Sequence, residues 1–508
     1  MTRRPWWGLG AVTVIVGLAV AGGGGLARRP ASLRAGPSQM VSADPQQAIN
    51  SNTSPVVALD PRRPDVLVAA GRVDAPQLNC TLSVSTTAGE AWRGVELPRP
   101  PGASNCFWPD VAFTADGGLL VLYTPTGGQY NLPLALWLQR FTADFAPDGP
   151  PVRVAGQLTF QPRLAVDGGR VLVTWIAAGD ARLDKALGFA APPNPLVLAR
   201  SEDGGRTFGP PVTVGEPGRL TVQPSLLVGP GGRVVIGALD LVGDTGTYES
   251  VDQGLPGPAP PGPWHVVAWT STDGGATFGP AAVVADRVVP FQRILVDLAA
   301  APTFALDPVR GRAYAAWESG GDVFLSRSED GARTWSAGRR VSPAPGTQFL
   351  PGLGVAPDGR VDVAFYDRGR DPADVLARVV LASSTDGGRT FARTTVSDRS
   401  FDSRVGSFTG ENVMLGSHLA VVSQPGLATV VWPDGTRGNR VNNIVDLSAT
   451  AVEVRPASRG RPPLVALGGA LVAAGAGLTA RSWPSRGGGR GRRPAPRPPA
   501  SPPPARPG

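Results

Sequence analysis

The stretch that decides the fold is Ser384-Thr385-Asp386-Gly387-Gly388-Arg389-Thr390-Phe391, because the chain contains it several times. Near-identical copies occupy 201–208 and 271–278. A copy at 328–335 has Ala332 where the others have Gly, and a degraded copy at 85–92 has Thr87 for Asp and Ala91 for Thr. The shared pattern is Ser-x-Asp-x-Gly-x-Thr-(Trp/Phe).

This spacing predicts a tight hairpin turn. A short acidic side chain accepts hydrogen bonds from nearby backbone N–H groups, and Gly adopts backbone angles that other residues resist. The closing aromatic residue is expected to return to the sheet and bury its ring. The residues assigned to these structural roles are Ser201, Asp203, Gly205, Ser271, Asp273, Gly275, Ser328, Asp330, Ser384, Asp386 and Gly388.

The repeated octapeptide resembles the Asp box, or BNR repeat, of the sialidase-like β-propellers. Four good copies and one degraded copy carry the resemblance. It implies an exported bacterial protein of this superfamily with an all-β propeller fold. In that family the boxes are turn staples that lie away from the active face, so the resemblance concerns the fold more than the chemistry.

A second repeat is interleaved with the first. Each unit has a Pro, a short apolar strand, a turn rich in Asp, Gly or Pro, and a second apolar strand. The units begin at Pro55, Pro109, Pro162, Pro224, Pro302 and Pro351, and a seventh without Pro begins at Leu415. Most units continue with a third strand, an octapeptide turn and a fourth strand. Four strands per unit predict a seven-bladed propeller of four-stranded antiparallel blades, with six blades as the alternative.

The sequence also predicts how the ring closes. The last unit offers a strand at 443–449, which the run 451–454 either extends or follows as a separate strand. Residues 39–42 resemble 340–342, the last strand of the fifth unit. We therefore expect the N-terminal strand to complete the last blade, which would remove exposed sheet edges.

The ends of the chain differ in composition from the middle. The chain has 508 residues and a formal net charge of +8, but residues 1–40 and 455–508 contain fifteen Arg and no acid. The middle therefore carries 33 basic and 40 acidic residues, which argues against nucleic-acid binding by the folded part.

The composition predicts five segments. They are an export signal or N-terminal anchor at 1–37, a propeller ectodomain at 38–454, a stalk at 455–463, a transmembrane helix at 464–483 and a disordered Pro/Arg/Gly tail at 484–508. The Arg-rich tail predicts a cytoplasmic C-terminus and an extracytoplasmic propeller on a cell membrane. The alternatives are a cleaved or an uncleaved N-terminal segment, and a C-terminal linker that never inserts.

The chain contains two cysteines, Cys80 and Cys106. An even number in an exported chain favours a disulfide, and two buried thiols are the alternative.

A ligand site is expected on the face where first strands begin and second strands end, opposite the octapeptide turns. The long loop 240–264 would overhang this face. The residues assigned to the face are Arg72, Asp74, Asp110, Tyr130, Arg163, Asp180, Asp240, Glu318, Tyr366, Asp367, Arg368, Glu411, Asp434, Arg437 and Arg440. For any one of them, a solvated surface side chain is the simpler interpretation.

The resemblance implies a specific chemistry: three Arg that clamp a substrate carboxylate, a Tyr nucleophile activated by Glu, and an Asp acid/base. The catalytic candidates are Tyr366, Asp367, Glu318 and Asp110, and the ligand-binding candidates are Arg163, Arg368, Arg437 and Arg72. The Arg-Ile-Pro motif of the family is absent, which puts the Arg triad in doubt. Tyr366 also fits the final core residue of its strand.

Other chemistries have weaker support. The chain has two His, His265 and His418, without metal-ligand spacing, and has no phosphate-binding loop, so we expect no metal and no cofactor. The favoured function is recognition of a glycan, peptide or envelope protein on the loop-rich face. A sialidase-type glycoside hydrolase and a purely structural envelope module are the alternatives.

Overall fold

The computed structural model describes residues 31–42, 50–75, 77–100, 102–103, 105–127, 132–178, 194–216, 219–242, 264–291, 300–342, 344–406, 413 and 415–455. The N-terminal apolar run, residues 456–463 of the predicted stalk, the segment 464–483, the tail 484–508 and residues 243–263 of the predicted overhanging loop lie outside these residues, as do Tyr130, Asp180 and Glu411. Among the described residues, no helix has the length and hydrophobicity needed to cross a bilayer.

The described strands form seven antiparallel sheets, each the blade of a propeller. Blade 1 contains Ser51–Leu59, Leu67–Ala75, Asn79–Ser85 and Arg93–Gly94. Blade 2 contains Asn105–Phe113, Leu119–Gly127, Leu136–Phe141 and Val152–Ala155, with Leu132–Pro133 as an added short strand. Blade 3 contains Thr159–Asp167, Arg170–Ala177, Leu196–Ser201 and Val212–Val214.

The remaining blades follow the same order. Blade 4 contains Thr221–Gly229, Arg233–Asp240, Trp264–Ser271 and Ala282–Val288, with a 3-10 turn at Pro230–Gly232. Blade 5 contains Thr303–Leu306, Ala313–Ser319, Asp322–Ser328 and Arg339–Arg340. Blade 6 contains Gln348–Val355, Val361–Asp367, Leu376–Ser384 and Ala392–Thr395, with Phe401–Asp402 added. Blade 7 contains Ala420–Gln424, Leu427–Asp434 and Asp446–Arg455, completed by Ser32–Ala35 and Gln39–Met40.

The blades close into a ring. The first strands of successive blades contact one another from blade 1 to blade 7 and from blade 7 back to blade 1. The seven-bladed prediction is therefore confirmed, and the six-bladed alternative is wrong. β-Branched and aromatic residues fill the second strands, which are almost wholly buried, so the apolar core runs between the blades.

The N-terminal strand completes blade 7, as predicted. Gln39 and Met40 pair with Ala449 and Ser448. The pairing continues through Ser32–Ala35, which pairs antiparallel with the end of the same strand and which the sequence did not identify as a strand. Of the two options for 451–454, extension of the third strand is the one observed, because Asp446–Arg455 is a single strand. The strand Ser32–Ala35 lies inside the range 1–37 expected for the export segment.

The predicted disulfide is present. Cys80, in the third strand of blade 1, is bonded to Cys106, in the first strand of blade 2, with their Cα atoms 5.4 Å apart. The bond is buried against Tyr123, whose hydroxyl donates to the Pro98 carbonyl at 2.8 Å. The disulfide therefore links two adjacent blades, and the alternative of two free thiols is wrong.

The strand order defines two faces. We call the face where the third strand of each blade connects to the fourth the turn face. We call the opposite face, where first strands begin and second strands end, the loop-rich face. The octapeptide turns lie on the turn face. In the turn at 201–208, Asp203 accepts the backbone N–H groups of Arg206 and Thr207 at 3.0 and 2.9 Å, and Ser201 accepts that of Gly205 at 2.8 Å.

In the four turns that contain Asp, the third residue is held as an anion. Hydrogen bonds from Thr207 and Ser201 lower the pKa of Asp203, and bonds from Ser271 and Thr277 lower that of Asp273. At Asp330, burial alone would raise the pKa, but hydrogen bonds from Thr334 and Ser328 outweigh it and lower the pKa to about 2. The turn face is thus built from carboxylates whose hydrogen-bond partners are local.

Candidate functional site

The loop-rich face is shaped by a bulge that recurs in the first strands. Ser54, Trp108, Gln161, Gln223 and Leu350 all have φ between 46° and 55°, and each directly precedes the Pro of its blade. The ladder loses register at each of these points. Non-Gly residues rarely adopt such angles, and bulges of this kind re-aim side chains near binding sites. Sequence reasoning identified the Pro but not the strained residue before it.

In blades 2, 3 and 4, the residue that follows the Pro reaches the neighbouring blade. Asp110 Oδ2 accepts the N–H of Leu164 at 2.8 Å. Arg163 Nε donates to the Pro224 carbonyl at 3.0 Å, and Ser225 Oγ donates to the Pro302 carbonyl at 3.2 Å. These side chains connect the first strands of blades 2, 3, 4 and 5. Two of them, Asp110 and Arg163, therefore lie within first strands rather than ahead of them.

Burial has the largest effect on the pKa values of Asp110 and His418. It raises the pKa of Asp110, although the charge of Arg163 acts in the opposite direction. It also lowers the pKa of His418 to about 3, with the charges of Arg163 and Arg72 adding to the effect, so this imidazole is neutral at physiological pH. Asp110 and Arg163 are held by bonds between blades, which favours a structural role for both.

Tyr366 is fully buried in blade 6. Its hydroxyl donates to the Pro433 carbonyl of blade 7 at 2.6 Å, and its ring stacks on Phe349 at 5.2 Å. Burial and the nearby charge of Asp434 raise its pKa well above the ordinary value. These contacts favour the interpretation of Tyr366 as a core residue, and its role as a nucleophile stays a prediction.

Asp367, beside Tyr366, is also fixed by its partners. One oxygen of its carboxylate accepts a hydrogen bond from Gln348, and the other forms a buried ion pair with Arg378 at 2.8 Å. The partner Arg378 was not identified from the sequence, because only the sheet register opposes it to Asp367.

The four candidate arginines lie in different environments. Arg72 forms an ion pair with Asp74 at 2.6 Å inside blade 1. Arg368 donates to Ser403 at 2.7 Å and lies over the rings of Phe291 and Phe349.

Arg437 binds Asp446 through two hydrogen bonds of 2.6 and 2.7 Å, with 57% of its side chain exposed. Within the described residues, no contact brings Arg163, Arg368 and Arg437 to a common partner, so the predicted carboxylate clamp stays a prediction.

Glu318 stands out among the acidic residues that end second strands. Asp240 pairs with Arg219, Asp367 with Arg378, and Asp434 accepts a hydrogen bond from Ser448. Glu318 is 5% exposed, accepts the backbone N–H of Phe291 at 2.5 Å, and forms no ion pair within the described residues. Burial raises its pKa to about 8, so this carboxyl is largely protonated at neutral pH.

Buried polar atoms without a hydrogen-bond partner concentrate near the loop-rich face. In the described part of the chain they include Asn50 Oδ1, Asn52 Oδ1, Trp108 Nε1, Thr124 Oγ1, Thr126 Oγ1, Thr159 Oγ1, Gln161 Nε2, Thr303 Oγ1 and Gln348 Oε1. All belong to residues that begin or precede a first strand or lie towards the end of a second strand. Such atoms normally find partners, so this concentration indicates a surface prepared for polar contacts.

Exposed apolar side chains also collect on this face. Leu134, Val242, Val289, Leu376 and Val441 lie in or next to the loops that join second to third strands or one blade to the next. Val441, in the loop after the second strand of blade 7, is 93% exposed. Exposed apolar residues between polar groups are typical of recognition surfaces.

No protein-family model matches the chain, and no curated protein sequence does. Many solved structures match the chain, and three of them illustrate the similarity. A Dyadobacter fermentans protein of unknown function has 13% identity and a TM-score of 0.45, with 83% of this chain and 99% of that chain covered.

The second is an ulvan lyase of a new polysaccharide lyase family, PL25, with 12% identity and a TM-score of 0.45 over 78% of this chain and 93% of that chain. The third is a Hadza microbial sialidase with 15% identity and a TM-score of 0.42 over 77% and 73%. At these values the likeness carries no inference about what this chain binds.

Proposed function

We propose that the protein is an extracytoplasmic β-propeller that recognises a glycan through its loop-rich face. The observation that carries this proposal is the concentration of unpartnered buried polar atoms on that face. Hydroxyl groups of a sugar both donate and accept hydrogen bonds, so one ligand class satisfies the carboxamide oxygens, the indole N–H and the threonine hydroxyls alike.

The proposal includes the location of the protein. A C-terminal helix at 464–483 tethers the propeller to the cell membrane, with the tail on the cytoplasmic side. Deleting 464–508 tests the tether: we expect release of the propeller into the medium if the N-terminal segment is cleaved. Continued membrane retention would mean that the N-terminal segment anchors the chain.

Binding of the full-length chain to an array of neutral, uronic and sialylated oligosaccharides tests the recognition. We expect selective binding of a small group of related saccharides. An absence of binding to every saccharide at millimolar concentration would contradict the proposal. A protein or peptide ligand on the same face would then become the better explanation of the exposed apolar residues.

Glu318 supports a second candidate function, a glycoside hydrolase. A general acid must be protonated at the working pH, and Glu318 meets this requirement because its pKa is raised to about 8. The test is release of a fluorophore from a fluorogenic sialoside, in the wild type and in Glu318→Gln and Tyr366→Phe. Release that is lost in Glu318→Gln would establish hydrolysis, whereas an inactive wild type would contradict it for this sugar.

A further inference from the structure

A polar cleft of about 590 Å³ lies at the seam where the ring closes. The N-terminal strand of blade 7 contributes Ser42 to its wall, and blade 1 contributes the start of its first strand, the end of its second and its outer two strands. By topology, Asn50, Asn79 and Arg99 lie at the end of the cleft that belongs to the loop-rich face, and exposed Gly94 lies towards its other end. Its volume lies in the range of small-molecule sites. We call it the seam cleft.

Two deeply buried asparagines line the seam cleft. Asn50 and Asn52 are 8% and 2% exposed, and the side-chain oxygen of each has no hydrogen-bond partner. The Asn52 amide is oriented by donation from Nδ2 to the Val445 carbonyl at 3.0 Å. The backbone on both sides is also fixed, because Val445 donates to the Asn50 carbonyl at 3.0 Å and Asn52 donates to that of Val445 at 2.8 Å. These bonds fix the backbone of both asparagines and the side-chain amide of Asn52 at the cleft.

The other polar groups of the cleft are engaged with one another. Asn79 Oδ1 accepts the backbone N–H of Cys80 at 2.8 Å and a bond from Arg99. Ser83 Oγ donates to the Val41 carbonyl at 2.9 Å. The lining contains one acid, Glu96, and one base, Arg99, so its formal charges balance. Nothing in this lining favours an ionic ligand.

We infer that the seam cleft binds the hydroxyl groups of a neutral saccharide unit. Unpartnered buried acceptors destabilise a fold, and hydroxyl donors of a ligand would remove this cost. The inference rests on the proposed function, because it assigns one position on the loop-rich face to the glycan.

Gly94 offers a way to block the cleft without disturbing the core. Gly94 lies in the wall of the cleft and is exposed to solvent. A Cβ atom added to it would have no other atom within 4 Å. Gly169, on the turn face of blade 3, has the same open surroundings and supplies the matched control. Asn50→Ala removes an unpartnered acceptor and provides a second, smaller change.

The experiment measures binding of the full-length chain and its variants to immobilised neutral and acidic oligosaccharides, with thermal unfolding followed by circular dichroism. We expect the wild type to bind neutral saccharides, Gly94→Trp to bind at least tenfold more weakly, and Gly169→Trp to bind normally. Asn50→Ala should weaken binding severalfold without lowering the melting temperature.

The outcomes separate this inference from the proposed function. Normal binding by Gly94→Trp would overturn the seam cleft and leave glycan recognition standing, as would loss of binding in Gly169→Trp alone. Binding of acidic saccharides only would overturn the neutral ligand. A wild type that binds no saccharide would contradict both.

Discussion

The two faces of the propeller treat polar groups in opposite ways. On the turn face, each carboxylate of the Asp-containing turns is surrounded by donors four residues away or fewer, and its pKa is lowered. On the loop-rich face, several buried oxygens and nitrogens have no partner, and the carboxyl of Glu318 has its pKa raised. The difference indicates that the turn face stabilises the fold, whereas the loop-rich face keeps polar groups for a ligand.

The largest expected effect comes from opening the ring. Deleting 31–42 removes both N-terminal strands of blade 7 and exposes the edge of Asp446–Arg455. Because a long unpaired strand is a template for pairing with another chain, we expect loss of cooperative unfolding and aggregation on size-exclusion chromatography. Arg34→Ala, which changes an exposed side chain of the same strand, is the control and should melt normally. A deletion variant that stays monomeric and melts cooperatively would contradict closure by this segment.

The second effect concerns the packing of turns against neighbouring blades. Gly205 has a φ of +85°, and a Cβ there would lie 2.5 Å from Leu138 of blade 2; Gly275 and Gly388 approach Leu198 and Leu325 in the same way. We expect Gly205→Ala to destabilise the protein by about 3 kcal/mol through overpacking and strain. Urea denaturation measures the change.

Blade 5 carries the natural control for this prediction. Its turn has Ala332 in place of the Gly, with a φ of 72°. Ala332 and Ala268 of blade 4 line the same cavity. Ala268 stands three residues before the Ser of its turn, where the corresponding strands of blades 3 and 5 have Leu198 and Leu325. We therefore expect Leu138→Ala to rescue part of the cost of Gly205→Ala in a double-mutant cycle. Strictly additive effects would contradict the proposed contact.

The third prediction compares how the stability contributed by a carboxyl group on each face depends on pH. The folded pKa of Glu318 is raised to about 8 from an ordinary 4.5, so its contribution to stability is full below pH 4.5 and is lost as pH rises through 8. We expect Glu318→Gln to be more stable than the wild type at pH 9, with the difference growing as pH rises from 5 to 9. If the melting temperatures of the wild type and of Glu318→Gln changed equally with pH between 5 and 9, the raised pKa of Glu318 would be contradicted.

The turn carboxylates titrate in the opposite sense. Because the pKa of Asp330 is lowered to about 2, its contribution is present above its ordinary pKa of 3.8 and is lost as pH falls towards 2. We expect Asp330→Asn to lower the stability by a nearly constant amount between pH 7 and 9 and to flatten the acid limb of the stability profile. A variant with an unchanged acid limb would contradict the role of the turn carboxylates.

The smallest effect compares a complete turn with the degraded one. Asp386 accepts two backbone N–H groups and the Thr390 hydroxyl, whereas Thr87 in blade 1 accepts the single N–H of Ala91 at 2.9 Å. We expect Asp386→Ala to cost about 1 to 2 kcal/mol and Thr87→Ala less than about 1 kcal/mol, measured by urea denaturation. Equal costs would show that the carboxylate adds nothing beyond one hydrogen bond.

The sequence predicts the turn face well because its contacts are local. The donors and acceptors of Asp203 lie within the same octapeptide, so their spacing is visible in the chain. The blade count and the closing strand could also be predicted, because the repeated units are visible in the sequence. The disulfide could be predicted because the chain contains only two cysteines.

The loop-rich face could not be predicted residue by residue. The partner of Asp367 is Arg378 and that of Tyr366 is Pro433, and both pairings depend on register or on the next blade. The left-handed angles before Pro55, Pro109, Pro162, Pro224 and Pro351 come from bulges that the repeat spacing does not reveal. Asn50 and Asn52 were missed because Val445, almost 400 residues away, fixes their backbone.

Hydrogen–deuterium exchange on the full-length chain, with and without the saccharide that binds best on the array, tests the division between the two faces most directly. We expect added protection in peptides that contain 50–54, 72–75 and 348–351, and unchanged exchange in the turns at 201–208, 271–278, 328–335 and 384–391. Protection confined to those turns would contradict the assignment of the ligand to the loop-rich face.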